Sequence, residues 1–420
     1  ADVYVRDRLK SLTTLVSVSS RGKPVEGNSS APAISGDGRF LAFESSGPLV
    51  PGDSGFPEDI FAHDRETGQT TLVSVDFSGG PADASSFNAA VSDSGSIIAF
   101  QSYATDLVPG DSGPSFRSDV FVRDMVRGVT IKVSEPYPGA TGSADGGLPD
   151  VSADGRFVVF QGESPNLVPS DTNGVTDVFR RDLLRQETVR VSLGNADQEA
   201  DWHCEQASVS ADGRFVAFES AAPNLSSIDA PGFVTDIFVR DMARGITELI
   251  SVSSEGVPSD NPSVGPSISD DGRYVSFTSS ATNLVPGLTG FLERVYRHDR
   301  MTGETVLLCP GMGGAAADSW CSNSNISGNG LVVVFESPAT NLVPADFNFN
   351  IDAFAFDLTP QLVGDLNGDG VVNGLDLALL LGEWGACPDP EGICPADLDV
   401  DLVVNGFDLA ILLANWTRAT

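Results

Sequence analysis

Two short loops near the C-terminus of this 420-residue chain carry its densest pattern of metal-binding residue types. Each loop places side-chain oxygens at positions 1, 3, 5, 9 and 12 and a backbone carbonyl at position 7, which is the ligand set that a hard cation such as Ca²⁺ takes from a single turn. The first loop contains Asp365, Asn367, Asp369, Val371 (carbonyl), Asn373 and Asp376, and the second contains Asp397, Asp399, Asp401, Val403 (carbonyl), Asn405 and Asp408. This spacing predicts two calcium sites.

Each loop leads into an apolar pattern with helical spacing. Leucines and a tryptophan recur at i, i+3, i+4 and i+7, which is typical of a helix with one buried face. The residues are Leu377, Leu380, Leu381 and Trp384 in the first copy and Leu409, Leu412, Leu413 and Trp416 in the second. We expect the two loop-helix units to bury these stripes against each other.

The segments GDLNGDGVVNGLDLALLLGEWG and ADLDVDLVVNGFDLAILLANW together resemble type I dockerin repeats, over about residues 363 to 417. The resemblance implies that residues 361–420 form a calcium-binding domain that docks onto a cohesin-like or cell-envelope protein, although a purely structural or anchoring role stays open. Tails with Cys-Pro before the loop, as in Cys394-Pro395-Ala396-Asp397, look like those of secreted planctomycete-type bacterial proteins. That likeness implies an extracellular or cell-surface location.

Two departures from the dockerin pattern alter what we expect. Leu402 stands at position 6 of the second loop, where Gly normally makes the turn. A left-handed backbone at a residue with a Cβ costs roughly 1–2 kcal/mol, so the second site should be weaker. Positions 10 and 11 are Gly374-Leu375 and Gly406-Phe407 instead of small hydroxylated residues, so a partner should meet Leu375 and Phe407 with an apolar surface.

The composition narrows the classes of partner. The formal net charge is −34, with 58 Asp plus Glu, 24 Lys plus Arg, 44 Gly and 26 Pro. Such an acidic, turn-rich chain disfavours nucleic acid and anionic membranes as partners, since phosphate binding depends on clusters of Lys and Arg. The sequence predicts no membrane span. Because it begins at Ala1 inside a repeat, without a leader, we expect a processed chain or a fragment whose export signal lay upstream.

Residues 1–360 contain six copies of an Asp-Gly motif flanked by apolar runs. The copies begin at Ile34, Val91, Val151, Val209, Ile268 and Ile326, and their turn glycines are 57 to 60 residues apart. A second motif, Asp-x-Phe-x-x-Asp, lies between them at Asp59, Asp119, Asp177, Asp236 and Asp352, with variants at Asp2 and Arg294. An Asp-Gly turn between apolar runs predicts a hairpin, because Gly adopts positive φ without steric cost.

Each repeat predicts four short strands, and such units at a fixed period indicate a β-propeller. The S-x-D-G-R-x-x-A-F and D-I-F-V-R-D segments resemble the TolB-type, WD-like propeller repeat. We therefore expect an all-β propeller of six or seven four-stranded blades in residues 1–360, followed by a small α-helical dockerin-like pair of calcium loop-helix units in residues 361–420. A strand near Leu15 that completes the last blade would give six blades, whereas about thirty further residues upstream would give seven. We favour seven blades in the parent protein and an imperfect ring in this fragment.

Some polar groups in the repeats have a structural and a functional interpretation. Asp171, Asn173 and Asp177 stand at positions 1, 3 and 7 of an insert loop, where they either bind calcium or, as we favour, cap the turn. The recurring pairs Arg123-Asp124, Arg181-Asp182 and Arg240-Asp241 predict a structural network, and His63 and His298 occupy the position of Arg123 and Arg240. Recurrence in most repeats argues against a catalytic role.

His203 differs, because it precedes a repeat in the segment Asp201-Trp202-His203-Cys204-Glu205 and is able to reach the axial face. It either binds a ligand or, as we favour, belongs to a packed loop. We assign no catalytic residue, since no nucleophile elbow, His-Glu-x-x-His or phosphate loop is present.

Five cysteines in an exported-looking chain suggest disulfides. Cys387 and Cys394 flank the linker between the calcium loops, and Cys309 and Cys321 are close enough in sequence to bridge an inter-blade turn. Cys204 is then left over, and the scattered positions do not favour zinc.

These features leave two classes of function. The first is a secreted, non-catalytic propeller that binds or displays a glycan or protein ligand and is docked through a calcium-dependent C-terminal module. The alternative is a polysaccharide-degrading hydrolase or lyase with a propeller catalytic domain, in which carboxylates or His203 in the central funnel act as acid and base.

Overall fold

The computed structural model describes residues 1–111, 117–228, 234–288, 290–314, 316–358, 363–364, 366, 371–386, 396–398 and 403–417. The contacts divide the chain into two compact units: the first comprises Ala1–Arg6 and Thr13–Asp357, and the second comprises Asp7–Leu12 and Leu358–Thr420. Each unit is described by itself.

The first unit is built from antiparallel sheets in which each strand pairs with the next strand along the chain. Strands β1 (Tyr4–Asp7) and β2 (Leu12–Leu15) form a two-stranded sheet. Five four-stranded sheets follow: β3 (Ser29–Ile34), β4 (Phe40–Ser45), β5 (Asp59–Asp64) and β6 (Gln69–Leu72); β7 (Ser86–Val91), β8 (Ile97–Ser102), β9 (Asp119–Asp124) and β10 (Val129–Lys132); β11 (Gly147–Val151), β12 (Phe157–Gly162), β13 (Asp177–Asp182) and β14 (Glu187–Arg190); β15 (Cys204–Val209), β16 (Phe215–Ser220), β17 (Asp236–Asp241) and β18 (Ile246–Leu249); and β19 (Ser263–Ile268), β20 (Tyr274–Ser279), β21 (Arg294–Asp299) and β22 (Glu304–Leu307). The last sheet contains β23 (Ser322–Ile326), β24 (Val332–Ser337) and β25 (Asp352–Asp357), and a short 3₁₀ turn (Met312–Gly314) precedes it.

This architecture is a six-bladed all-β propeller, which confirms the predicted fold. Two details differ from expectation. The sixth blade has three strands among the described residues, and β2 pairs with β1 instead of completing that blade. The β1–β2 sheet lies against the first blade, where Val3 and Val16 share a buried cluster with Leu41 and Phe43.

The turn glycines bring consecutive blades together. The six glycines Gly38, Gly95, Gly155, Gly213, Gly272 and Gly330 have φ between 68° and 72°. A Cβ on Gly213 would collide with the ring of Phe157 in the preceding blade, and one on Gly272 would collide with the ring of Phe215. Glycine is therefore required both for the left-handed turn and for the close approach between blades. Within each blade, an aromatic pair on the second and third strands, such as Phe218 and Phe238 at 5.8 Å between ring centroids, fills the core.

Arg-Asp clamps tie the second strand of a blade to its third. In four blades, the turn arginine binds both carboxylate oxygens of the Asp that ends the third strand, at 2.6 to 3.1 Å; the pairs are Arg39–Asp64, Arg156–Asp182, Arg214–Asp241 and Arg273–Asp299. The residue before that Asp instead contacts a threonine of the fourth strand, as Arg123 contacts Thr130, Arg181 Thr188, Arg240 Thr247, His63 Thr70 and His298 Thr305. The structural interpretation of these positions is confirmed, although the carboxylate partner is the turn arginine and not the neighbouring one.

The second unit contains two short helices, α1 (Gly374–Gly382) and α2 (Gly406–Ala414), and the paired strands β26 (Gly385–Ala386) and β27 (Val403–Val404). Its core consists of Val372, Leu380, Ala396, Val404 and Leu412. The predicted stripes are only half right. Leu380 and Leu412 are fully buried and Leu377 and Leu409 pack beside them, but Leu381, Leu413, Trp384 and Trp416 are exposed. A nine-residue helix beside a small core has room to bury one or two of the four apolar positions.

The clamp generates a prediction about acid stability. The Arg156 guanidinium holds the pKa of Asp182 at about 2. This interaction therefore stabilises the fold above the pKa of an unfolded Asp, about 3.9, and is lost as the pH falls toward 2. We expect Asp182→Asn to lower the free energy of unfolding by about 1 kcal/mol at pH 7, a value reduced by the partial exposure of Arg156, and by much less at pH 2.5.

Denaturant titrations at the two pH values measure this difference. Asp124→Asn is the matched control, because Asp124 accepts the same two turn N–H groups as Asp182 while its blade has Ser96 in place of the turn arginine. Equal losses in the two variants at pH 7 would contradict a stabilising clamp.

Candidate functional site

The closing aspartates of the two predicted calcium loops are fully buried. Asp376 accepts the N–H of Leu366 on Oδ1 and that of Asn373 on Oδ2, both at 2.8 Å. Asp408 repeats these bonds with Leu398 and Asn405 at 2.6 and 2.7 Å. Each carboxylate thus joins the second position of its loop to the ninth, so that the loop is closed by its own backbone.

The first turn of each helix completes this arrangement. Asn373 and Asn405 are the N-caps of α1 and α2, and each accepts the N–H two residues later while the Asp at N3 reaches back to the cap. Such a reciprocal capping box satisfies orphan N–H groups. It also explains locally why the sequence Asn-Gly-x-Asp follows each loop.

The residues that are described fit a calcium ion chemically. Asp376 and Asp408 are buried carboxylates, and a buried carboxylate requires a cation or donors around it. The side chains or carbonyls of Val371, Asn373, Asp397, Val403 and Asn405 supply further oxygens of the kind that Ca²⁺ prefers. The predicted ligands Asp365, Asn367, Asp369, Asp399 and Asp401, together with Leu402, Cys387 and Cys394, lie outside the described residues.

Two apolar side chains project from the starts of the helices. Leu375 is 62% exposed and Phe407 is 71% exposed. They occupy equivalent positions in the two copies, one residue before the closing Asp. The described residues of this unit therefore present the two predicted partner-binding side chains to solvent.

On the propeller, the connections of variable length lie on one face. Because successive strands are antiparallel, the loops between second and third strands and the loops between blades share one end, which we call the insert face. Three clefts open on the insert face, with volumes of about 370, 450 and 200 Å³. Aromatic side chains and carboxylates line them: Phe56, Glu44 and Glu58 in the first; Tyr103, Asp145 and Glu163 in the second; Trp202, Glu205 and Glu219 in the third.

The sequence analysis missed the polar groups at the base of these clefts. The fifth residue of the second strand accepts a backbone N–H from a bulged residue of the next blade's inner strand, at 2.8 to 3.1 Å; the pairs are Glu44 with Asn88, Gln101 with Leu148, Gln161 with Gln206 and Glu219 with Gly265. The signal was available as Glu or Gln after the repeated Phe, in FES, FQS, FQG and FES. Because Gln replaces Glu in two blades, this contact does not require a charge.

His203 belongs to a packed loop, as we favoured. Its Nδ1 accepts the N–H of Thr176 at 3.1 Å. It lies beside Trp202 in the third cleft, where the rings meet edge to face at 5.7 Å. In the same cleft, burial and then the charge of Glu205 raise the pKa of Glu219, and the two glutamates face each other as partners across β15 and β16.

The insert aspartate that we weighed as a calcium ligand has a protein cation instead. The Arg190 guanidinium lies 3.1 Å from Asp171 and 3.5 Å from Asp177. In the preceding blade, Lys132 bridges Asp111 and Asp119 in the same way, at 3.0 and 2.7 Å. Asn173 caps the turn as predicted, by accepting the N–H of Val175 at 3.3 Å, whereas Asp171 pairs with an arginine that the sequence did not predict.

The first blade keeps the two carboxylates but has Leu72 at the position of Lys132 and Arg190. Burial, together with the charges of Asp53 and Asp106, raises the pKa of Asp59 to about 7. No group of three or more His, Cys, Asp or Glu side chains within the described part of the chain has the arrangement of a metal site.

Comparison with protein families decides the nature of the C-terminal unit. Residues 363–415 match the dockerin type I domain. This segment is a type I dockerin domain. Dockerin domains bind cohesins, typically bind calcium and occur in extracellular or cell-surface proteins. Calcium binding agrees with the buried loop carboxylates. No curated protein matches the chain.

Several solved structures are similar to the chain. The putative TolB from Agrobacterium tumefaciens is 16% identical, with a TM-score of 0.45, and the match covers 85% of this chain and 97% of that one. TolB from Acinetobacter baumannii is 13% identical with a TM-score of 0.41, over 72% of this chain and 58% of that one, so the chain spans about three-fifths of its length. An oligogalacturonate lyase in complex with manganese is 13% identical with a TM-score of 0.46, over 80% and 77% of the two chains. These similarities concern the fold alone. Among the residues that the structure describes, no helix is long and apolar enough to cross a membrane.

The first blade has a leucine where the second and third blades have a cation, and this difference leads to a prediction. We expect Leu72→Lys to lower the pKa of Asp59 by placing an ammonium between Asp53 and Asp59, as Lys132 does one blade later. In the parent protein the raised pKa of Asp59 means that its contribution to stability is present below about pH 4 and is lost as the pH rises through 7. The variant should therefore lose less stability than the parent between pH 5 and pH 8.5, measured by urea unfolding.

The third blade allows the opposite substitution, in which its cation is replaced by leucine. Arg190→Leu removes the only guanidinium that contacts Asp171 and Asp177 in the described residues, and leaving buried carboxylates uncompensated costs about 3–5 kcal/mol. A loss below 1 kcal/mol at pH 7 would show that these carboxylates do not depend on a cation.

Proposed function

We propose that this protein is a secreted, non-catalytic binding and display protein, with a propeller that holds a ligand on its insert face and a dockerin that docks it through calcium. The observation that supports this most directly is a type I dockerin in the same chain as clefts whose central polar groups already bond to the neighbouring blade. Glu44 and Glu219 make the same inter-blade bond that Gln101 and Gln161 make. Glu44 and Glu219 therefore act as hydrogen-bond acceptors that hold neighbouring blades together.

The ligand class is a glycan or a protein segment. Each cleft offers an exposed aromatic face beside acceptor oxygens, as with Phe56, which is 73% exposed next to Glu58, and Trp202, which is 44% exposed next to Glu205. Aromatic faces bury apolar surface while nearby carboxylates accept from hydroxyl or amide donors, and such mixed lining is typical of ligand sites. The net charge of −34 disfavours strongly anionic ligands.

A polysaccharide-degrading hydrolase or lyase is the second candidate, and one cleft favours it. Glu219 has a raised pKa and faces Glu205 near His203. A carboxyl group with a raised pKa beside a second carboxylate is the pairing that acid and base catalysis of glycosidic cleavage uses.

One experiment separates the two candidates. The full chain in calcium is incubated with a panel of plant, algal and microbial polysaccharides, and both retained protein and released oligosaccharides are measured, the latter by mass spectrometry. Retention without products, weakened by Phe56→Ala or Trp202→Ala but not by Val126→Ala on the opposite face, supports glycan binding. Released products that disappear in Glu205→Gln assign the enzyme instead. Neither retention nor products would exclude these glycans and leave a protein ligand.

Two calcium sites of unequal affinity are the finer proposal for the dockerin. We expect isothermal titration of the chelated chain to give two bound Ca²⁺, with the weaker site at the second loop because of Leu402. Asp376→Ala and Asp408→Ala should each reduce the stoichiometry to one, since each removes a closing ligand. A stoichiometry of two in either variant would contradict the assignment.

Chelation should unfold the C-terminal unit while leaving the propeller folded, because structural metal sites supply folding free energy in small modules. Hydrogen exchange of the full chain with and without a chelator measures this. Peptides of α1 and α2 should lose protection, whereas β16 and β17 should not change. Unchanged protection of both helices would show that calcium serves docking alone.

The docking surface includes Leu375 and Phe407. We expect Leu375→Ser and Phe407→Ser to weaken binding to type I cohesin domains that the parent protein recognises, by about tenfold each, since each exposed side chain loses its apolar contact. Calcium stoichiometry should stay unchanged. Val126→Ser, which changes an equally exposed apolar side chain on the propeller, is the control for nonspecific loss. Unchanged affinity in both dockerin variants would place the docking surface elsewhere.

A further inference from the structure

One set of side chains recurs at the junctions between blades. In four blades, the Asp that begins the third strand accepts the hydroxyl of the Ser that follows the fourth strand, at 2.5 to 2.7 Å; the pairs are Asp59–Ser74, Asp119–Ser134, Asp177–Ser192 and Asp236–Ser251. All four aspartates and all four serines are buried. The residue that begins the first strand of the following blade is small, as Ser86, Cys204 and Ser263 are. Its N–H donates to the carbonyl of the residue that precedes the third strand of the blade before.

The fifth junction departs from this pattern at three positions at once. Arg294 replaces the Asp, Cys309 replaces the Ser and Cys321 occupies the position of Ser86, Cys204 and Ser263. The backbone frame is unchanged: Val295 donates its N–H to Cys309 Sγ at 3.4 Å, as Ile60 donates to Ser74 Oγ at 3.0 Å, and Cys321 donates its N–H to the carbonyl of Glu293 at 2.9 Å.

The two cysteines meet inside this junction. Their exposed fractions are 1% and 0%, and the thiols contact each other directly. Cys309 follows the last strand of the fifth blade and Cys321 precedes the first strand of the sixth. We propose that Cys309 and Cys321 form a disulfide that fastens the three-stranded sixth blade to the fifth.

The exchange of Asp for Arg supports this cross-link on physical grounds. An Asp at this position depends on the Ser hydroxyl, because a buried carboxylate without a donor is costly. A disulfide sulfur has no proton to donate. Arg294 needs no such donor, and it gives an N–H to the carbonyl of Leu292 at 3.1 Å. The Arg therefore suits an oxidised cysteine pair where an Asp does not.

The same guanidinium favours the reaction. Contact with Cys321, helped by Arg294, lowers the pKa of the Cys309 thiol, and the thiolate is the attacking species. With a small disulfide such as oxidised glutathione, the Cys309 thiolate attacks one sulfur and releases one glutathione thiol. Cys321 then loses its proton and attacks the mixed disulfide, which releases the second glutathione. Two protein thiols are oxidised and one small disulfide is reduced to two thiols.

The third junction is a built-in control. Cys204 occupies the position of Cys321, but its neighbours are the usual Asp177 and Ser192. Cys204 is buried and contacts the hydroxyl of Ser220. It therefore has the same burial as Cys321 without a cysteine partner, and it should stay a thiol under the same conditions.

The test uses the reduced full chain, refolded in calcium with oxidised and reduced glutathione. The protein is then denatured without reductant, alkylated, digested and examined by mass spectrometry. We expect one peptide pair linked through Cys309 and Cys321, two hydrogens lighter than the separate thiols, and an alkylated Cys204. Alkylation of Cys309 and Cys321 to the same extent as Cys204 would overturn the proposal.

Two sets of variants extend the test. Cys309→Ser and Cys321→Ser restore the residue type of the other junctions, and each should abolish the linked peptide and lower the thermal midpoint of the oxidised propeller, whereas Cys204→Ser should not lower it. Equal midpoints for the oxidised parent and both variants would contradict a fastening role. Arg294→Asp should slow formation of the linked peptide, because the thiolate of Cys309 loses a neighbouring positive charge, and an unchanged rate would remove Arg294 from the proposal.

Discussion

Every buried carboxylate in this acidic chain must have a partner, and the rest of the structure depends on how that partner is supplied. An isolated buried ion costs far more than a small domain gains from its whole folding reaction, yet each of five blades begins its third strand with Asp and both C-terminal loops end with one. The chain meets this constraint in different ways. Serine hydroxyls and turn arginines serve most blades, Lys132 and Arg190 serve two of them, and the dockerin loops combine backbone N–H groups with an expected calcium ion.

The kind of partner decides whether a part of the structure depends on solution conditions. A carboxylate satisfied by a side chain of its own blade needs no dissociable cation. A carboxylate satisfied in part by such a cation makes its unit sensitive to the surroundings. The calcium dependence that we propose therefore rests on Asp376 and Asp408 in the C-terminal unit.

The features that depend only on neighbouring residues could be predicted from the sequence. The Asp-Gly turns and the repeat period require only neighbouring residues, and the propeller was predicted from them. Partners that are distant in sequence could not be deduced: nothing local shows that Asp182 binds Arg156 and not Arg181, or that the Glu and Gln after the repeated Phe bond to the next blade. The exposure of Leu381 and Trp384 was equally hidden, because helical periodicity shows which residues share a face but not how much of that face a small core covers. The pairing of β2 with β1 depends on competition between strands for one edge, which the strand patterns do not resolve.

Loop lengths explain why function is confined to the insert face. All six turns between first and second strands contain five residues, and all five turns between third and fourth strands contain four, whereas the connections between second and third strands range from 13 to 16. The short turns cannot vary, because their glycines pack against the preceding blade and their arginines hold the next strand. The long connections share an anchor, since Asn224, Asn283 and Asn341 each donate to a carbonyl of the preceding inter-blade loop. Their other residues differ in number and type, and they carry aromatic and charged side chains that change from blade to blade. The three clefts lie among these variable side chains.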